Sequence, residues 1–236
     1  MTTIPAEAFP DPVVRAAAQA IVDKDFDSQL RAAASEGKLD YIGPEEDTLL
    51  LTAILADNAD AVRALLQAGA NPNAPQGKAP LGVATSVASF EVVEMLVKAG
   101  ADVNGRVGSE AAIWRAALSN RRDVVRLLLD NGAAIDVANS EGDTPAIAAA
   151  QAGHFSMAAA LVQSGASPFA VPDSGMTLGF WANRSRLPDE SEEGQAKNRL
   201  IQMLKERGYS WPPPGPKETL AAQAAGQWPP SGARTD

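Results

Sequence analysis

The chain has 236 residues, a formal net charge of −9 and no cysteine. The acid excess repels phosphate backbones and argues against a nucleic-acid ligand, while the missing cysteines and a single histidine leave almost no nucleophile–base pair or metal cluster. No apolar run approaches the roughly 20 residues of a membrane span, so no membrane partner is expected.

Residues 1–12 form an N-terminal extension without the basic and apolar regions of a secretion signal. A cytoplasmic location is therefore expected, or a periplasmic one if a leader has been removed. Heavy alanine use points to a GC-rich bacterial genome. Residues 13–37 read as helical and end at Gly37, so 13–44 is assigned as an N-terminal capping unit. A stacked array needs such a cover because each unit buries one face against its neighbour. The acid-rich composition of residues 1–47 supplies the polar outer face.

From there one phrase recurs. Gly69, Gly100, Gly132, Gly165 and a late Gly208 each end an apolar i, i+3, i+4 pattern, such as Val62, Leu65 and Leu66, at separations of 31, 32, 33 and 43 residues. Glycine accepts the left-handed conformation that a helix stop requires. Twenty-one residues before the first four glycines stand Thr48, Ala79, Ala111 and Thr144, each opening an alanine-rich helical stretch. One unit is thus two antiparallel helices and a turn, and a period near 33 predicts a stacked array, here four repeats over 45–172.

The fourth copy carries Gly142, Thr144-Pro145, Ala148-Ala149-Ala150 and Gly153-His154, and in this it resembles the ankyrin repeat, as do residues 16–210 as a whole. The resemblance implies an all-α fold: an ankyrin-repeat solenoid of stacked helix-turn-helix units with capping units and short β-turn fingers. The other copies drift, with Thr48–Leu51, Ala79–Gly82 and Ala111–Trp114 in the Thr-Pro slot. Losing the family's histidine removes hydrogen bonds between neighbouring loops, so irregular joints are expected there. Trp114 is its oddest replacement.

In the C-terminal unit, 173–210, Thr177 lies 31 residues before Gly208, so about ten residues are inserted, assigned to a loop at 183–195 before a closing helix at 197–208. This loop is either ornamental or a binding loop. The tail, 211–236, is proline-rich and holds Trp211 and Trp228. It is a ligand for an aromatic groove, a cover packed over the last repeat, or a free end; residues 217–225 suit one short helix.

Little chemistry is visible. His154 has a structural role in the family's Gly-His turn. The carboxylate groups Glu45, Glu46 and Asp47, the pair Glu141 and Asp143, and the run at 189–193 fall in turns, where solvated acids stay ionised and make poor general acids. No glycine-rich loop follows a strand, so no cofactor and no metal are expected, and the chain reads as no enzyme. The patch Arg115, Arg121, Arg122 and Arg126 suits a solvent-facing helix surface.

Ankyrin arrays resemble a cupped hand whose finger tips and first helices form a concave surface. Carried over by offset from the Thr-Pro threonine, the contact positions are Glu45, Asp47, Leu55 and Ala56, then Gln76, Lys78, Ser86 and Val87, then Val107, Glu110, Leu118 and Ser119, then Glu141, Asp143, Gln151 and Ala152, and finally Ser174 and Met176. Trp114 and Trp181 are aromatic anchors for a partner or are buried between repeats. The expected function is non-catalytic: a monomer that binds one dedicated protein partner with a basic surface and neutralises it, as the stand-alone bacterial ankyrin proteins that act as toxin immunity proteins do. The alternatives are a scaffold or stress-response adaptor and, more remotely, a carboxylate hydrolase built on 189–193.

Overall fold

The computed structural model describes residues 4–75 and 77–233. The chain divides into two compact units, one formed by residues 1–112 and 126–133, the other by 113–125 and 134–236. In the first, a 3-10 turn (Ala6–Ala8) leads to α1 (Pro12–Asp23) and α2 (Asp27–Ser35), followed by the pairs α3 (Leu49–Leu55) with α4 (Ala59–Gln67) and α5 (Pro80–Val87) with α6 (Phe90–Lys98). Two short strands, β1 (Arg106–Val107) and β2 (Glu110–Ala111), pair antiparallel with Val107 opposite Glu110. The chain then passes through α7 (Ala112–Leu118) and α8 (Arg122–Asp130). In the second unit stand α9 (Pro145–Gln151), α10 (Phe155–Gln163), α11 (Leu178–Arg184), α12 (Glu192–Glu206) and α13 (Pro216–Ala224). The architecture is all-α, with helix pairs in the ankyrin arrangement and one small two-stranded sheet among the described residues.

Capping chemistry decides where the first helices start. Thr48, Thr144 and Thr177 each accept a hydrogen bond from the amide three residues on, at 3.2, 3.5 and 3.3 Å, which satisfies an otherwise orphaned donor. Ala79 has no such side chain, and Pro80 at the first helical position, which needs no donor, opens α5 instead. The stops differ as well. The first helices α3 and α9 are followed by Asp57 and Gly153 with positive φ, whereas α5 ends at Ala88 in extended backbone. The α5–α6 turn, inside one repeat, is therefore the irregular one of these three.

Apolar stripes on these helices meet within each unit. In the first, α1 packs on α3, α3 on α5 and α4 on α6, burying Ile21, Leu50, Ile54, Leu65, Leu81 and Leu96. In the second, α9 packs on α11 and α10 on α12, burying Ile147, Phe155, Leu161, Leu178 and Leu200. Polar side chains tie successive turns through backbone amides. The Asn71 amide donates to Asp40 Oδ1 at 2.7 Å, Asp102 N to Asn73 Oδ1 at 2.7 Å, and Ser167 N to both oxygens of Asp136 at 3.0 Å. These links register neighbouring repeats without the missing histidines.

The two termini cover exposed repeat faces. The N-terminal cap is a pair of helices, α1 and α2, where the sequence suggested one helical stretch; Lys24 in the left-handed conformation breaks it. Asn58 ties this cap to the first repeat by donating from Nδ2 to Ile21 O at 2.9 Å. At the other end the extra residues mostly lengthen a helix: α12 starts at Glu192, five residues before the expected start of the closing helix, and only 185–191 remains a loop. The tail packs. Trp228 donates from Nε1 to Phe169 O at 2.9 Å, and its ring lies 5.4 Å from that of Tyr209, which stacks on Phe169 at 5.1 Å. Trp211 receives the Lys205 ammonium 5.5 Å from its ring centre.

A glycine makes this closure possible, because a Cβ at Gly179 would sit 2.6 Å from the Tyr209 ring. Gly179→Ala should therefore lower the unfolding free energy by roughly 1–3 kcal/mol, the usual cost of overpacking, as read by urea denaturation. Leu65→Ala, which empties a fully buried site, should cost roughly 2–5 kcal/mol in the same measurement.

Candidate interaction surface

The positions expected to meet a partner are of two kinds, exposed side chains and buried ones that hold the fingers in place. In the first unit Glu45 is exposed, while Asp47 is only 9 % exposed and accepts from Lys78 Nζ at 3.1 Å. Lys78 also donates to Glu45 O, so it fastens one finger to the next. Leu55, Ala56, Ser86 and Val87 are half-buried on the first helices, and Val107 packs over Gly82 of α5. Glu110 is half-buried on the strand pair. Gln76 lies outside the described residues.

In the second unit Leu118, Ser119, Glu141, Gln151, Ala152 and Ser174 are exposed and Met176 is half-buried. Trp114 settles on one of its two readings. It is 6 % exposed and donates from Nε1 to Asp143 O at 3.0 Å, so it braces the fourth finger from inside and offers a partner no surface. Its length substitutes for the shorter histidine of that slot by reaching a carbonyl of the next turn. Asp143 is likewise buried, at 6 % exposure. Trp181 is half-buried against Phe180.

Asn139 organises this finger. Its Oδ1 accepts from the amides of Glu141 and Asp143 at 3.0 and 2.9 Å, and its own amide donates to Asp143 O at 3.1 Å. Asp173 N donates to Glu141 O at 2.9 Å, joining the fourth and fifth fingers. The expected contact set omitted Asn139, although an Asn-Ser-Glu-Gly run is a turn signal in which asparagine bonds the backbone ahead of it.

The carboxylates divide by environment. Burial pushes the Asp143 carboxyl above its ordinary value, a hydrogen bond from Gln151 Nε2 at 3.1 Å opposes this, and the neighbouring charge of Glu141 adds to it. Desolvation raises Asp136 too, against the Ser167 amide. In the 189–193 run the shift goes the other way: Asp189 is lowered by hydrogen bonds from Asn198 and Lys197. Glu193 is engaged by Ser156, whose amide donates to it at 2.8 Å. A general acid needs a raised pKa, and Asp189 is shifted the opposite way. The described residues contain no group of three or more His, Cys, Asp or Glu side chains placed to hold a metal ion, and no helix long and apolar enough to cross a membrane.

The family model for ankyrin repeats (3 copies) matches residues 16–107 and 108–185. The chain belongs to the ankyrin-repeat family. Among ankyrin-repeat relatives it is 33 % identical over 123 residues to cyclin-dependent kinase 4 inhibitor B of Rattus norvegicus, covering 50 % of this chain and 92 % of that one. It is 31 % identical over 134 residues to protein PhlB of Serratia liquefaciens, covering 55 % and 59 %. Against ankyrin repeat and KH domain-containing protein mask-1 of Caenorhabditis elegans it is 33 % identical over 94 residues, 39 % of this chain and only 4 % of that protein.

The raised Asp143 pKa has a definite sign for stability. The folded state favours the protonated acid, so the penalty is absent below the ordinary value near 3.8 and in full force above the raised one. Asp143→Asn should therefore raise Tm at pH 7, with the gain over the parent shrinking as pH falls toward 4 in a calorimetric series.

Proposed function

We propose that this chain, a protein–protein interaction module by its ankyrin repeats, binds one dedicated protein partner through its finger tips and first helices and neutralises that partner by occlusion, in the manner of an immunity protein. The observation that carries this reading is the division of labour in the fingers: Glu45, Glu141, Gln151 and Ser174 stand exposed on backbone held by Lys78, Asn139 and Trp114. Side chains presented on fixed backbone lose little freedom on binding. Support also comes from the kinase inhibitor matched over 92 % of its own length. With a net charge of −9 and acids at the tips, the complementary surface is basic.

Affinity capture from the native host should yield one stoichiometric partner whose activity the chain suppresses at a 1:1 ratio. Glu45→Lys with Glu141→Lys, both at exposed tips, should weaken the complex tenfold or more, about 1.4 kcal/mol, mostly through a slower association that also falls with salt. Several weak partners, none of them inhibited, would favour a scaffold or adaptor over a neutralising protein.

A further inference from the structure

We propose that the fourth finger, with the groove beside Gln151, forms a subsite for one arginine or lysine residue of the protein partner. The proposal rests on reading the chain as a protein-binding module and names the chemistry that one part of it recognises. Every element of the subsite lies within the second unit.

The starting point is a buried carboxylate, hydrogen-bonded by the Gln151 and Asn139 side chains, with one oxygen left unpaired. Asp143 is 6 % exposed; its Oδ2 accepts from Gln151, and its Oδ1 is buried with no hydrogen-bond partner. Buried polar groups are ordinarily satisfied, and a buried charge is ordinarily paired. The charges that act on this carboxylate, Glu141 and Asp173, are both negative and both exposed. They draw a cation toward the finger and offer none of their own. Burial has already pushed the Asp143 carboxyl upward, a penalty that an arriving cation reverses.

The finger cannot relax the arrangement by moving. Asp143 O accepts from both Trp114 Nε1 and Asn139 N, Asp143 N donates to Asn139 Oδ1, and Glu141 O accepts from Asp173 N. Four hydrogen bonds therefore fix the backbone that carries Glu141, Asp143 and Asp173, which separates these turns from a solvated acidic run.

A second unpaired group, a donor, lines the groove that Gln151 shares. Gln151, whose amide holds Asp143, also lines a groove of about 230 Å³ with Phe155, Trp181, Arg184 and Ser185, and Trp181 Nε1 is a buried donor with no acceptor. A cationic residue within a peptide carries what both sides lack, a charged side chain for Asp143 and a backbone carbonyl for the donors at Trp181 and Arg184. Gln151 is exposed, so its side chain is the gate that swings aside.

The indole resonances of Trp114 and Trp181 report on the two halves of the subsite, so the test is a proton–nitrogen NMR titration of the 15N-labelled full chain. The probes are acetyl-Gly-Arg-Gly-amide and its neutral citrulline counterpart. The arginine probe should shift both indole signals saturably, the citrulline probe should not, and Asp143→Asn should weaken the arginine probe at least fivefold while the chain keeps its cooperative thermal unfolding. Equal response to both probes, silence at the Trp114 indole, or unchanged binding by a folded Asp143→Asn chain would each overturn the subsite. If the subsite fails while a captured partner is still lost on Glu45→Lys, the neutralising function survives it. If the probe binds as described but no partner is inhibited, the function falls and the subsite stands.

Discussion

A helix pair buries one face against each neighbour, and this single constraint shapes everything else in the chain. An array built that way has no closed core, so its end faces stay apolar unless something else covers them. Here the covers are unalike. At the start, α1 lies on α3 and packs with α2, tied by the Asn58 amide to the Ile21 carbonyl. At the end, a proline-rich segment returns its tryptophan to Phe169 and Tyr209, and Tyr209 settles against a glycine because no other residue leaves it room.

Stacking also requires register, and the loops supply it with side chains bonded to backbone. Asp40, Asn73 and Asp136 each accept an amide from the following repeat. Such bonds are modest individually, about 1 kcal/mol net, yet they recur at three turns along the array. In the fourth finger the same logic is carried further. A tryptophan in the histidine slot reaches the Asp143 carbonyl, and the finger it braces carries an acid with one oxygen unpaired.

That combination links folding to recognition. Groups used to hold the fingers, such as Asp47, Lys78, Asn139 and Trp114, are withdrawn from solvent or spent on backbone. What remains outside, Glu45, Glu141 and Ser174 among them, stands on turns whose backbone is held within each unit. A strained or under-satisfied buried group in a native structure calls for an explanation, and a ligand that completes it is the most economical one where rigid backbone forbids local repair.

The sequence by itself determined the period, the helix stops at Gly69, Gly100, Gly132, Gly165 and Gly208 and the family, because those features depend on local backbone conformation and on apolar spacing along one chain. It also marked the finger acids and the unusual Trp114. Only the tertiary structure decided what those residues do. Whether Trp114 faces a partner or the interior, whether the extra residues near 190 form a loop or lengthen α12, and whether the tail hangs free or packs are questions of contact between segments distant in sequence. Periodicity carries no information about such contacts. The same holds for Asp143: its place in a turn predicted a solvated acid, and burial beneath Trp114 and Gln151, set by residues 29 before it and 8 after it, made it the reverse.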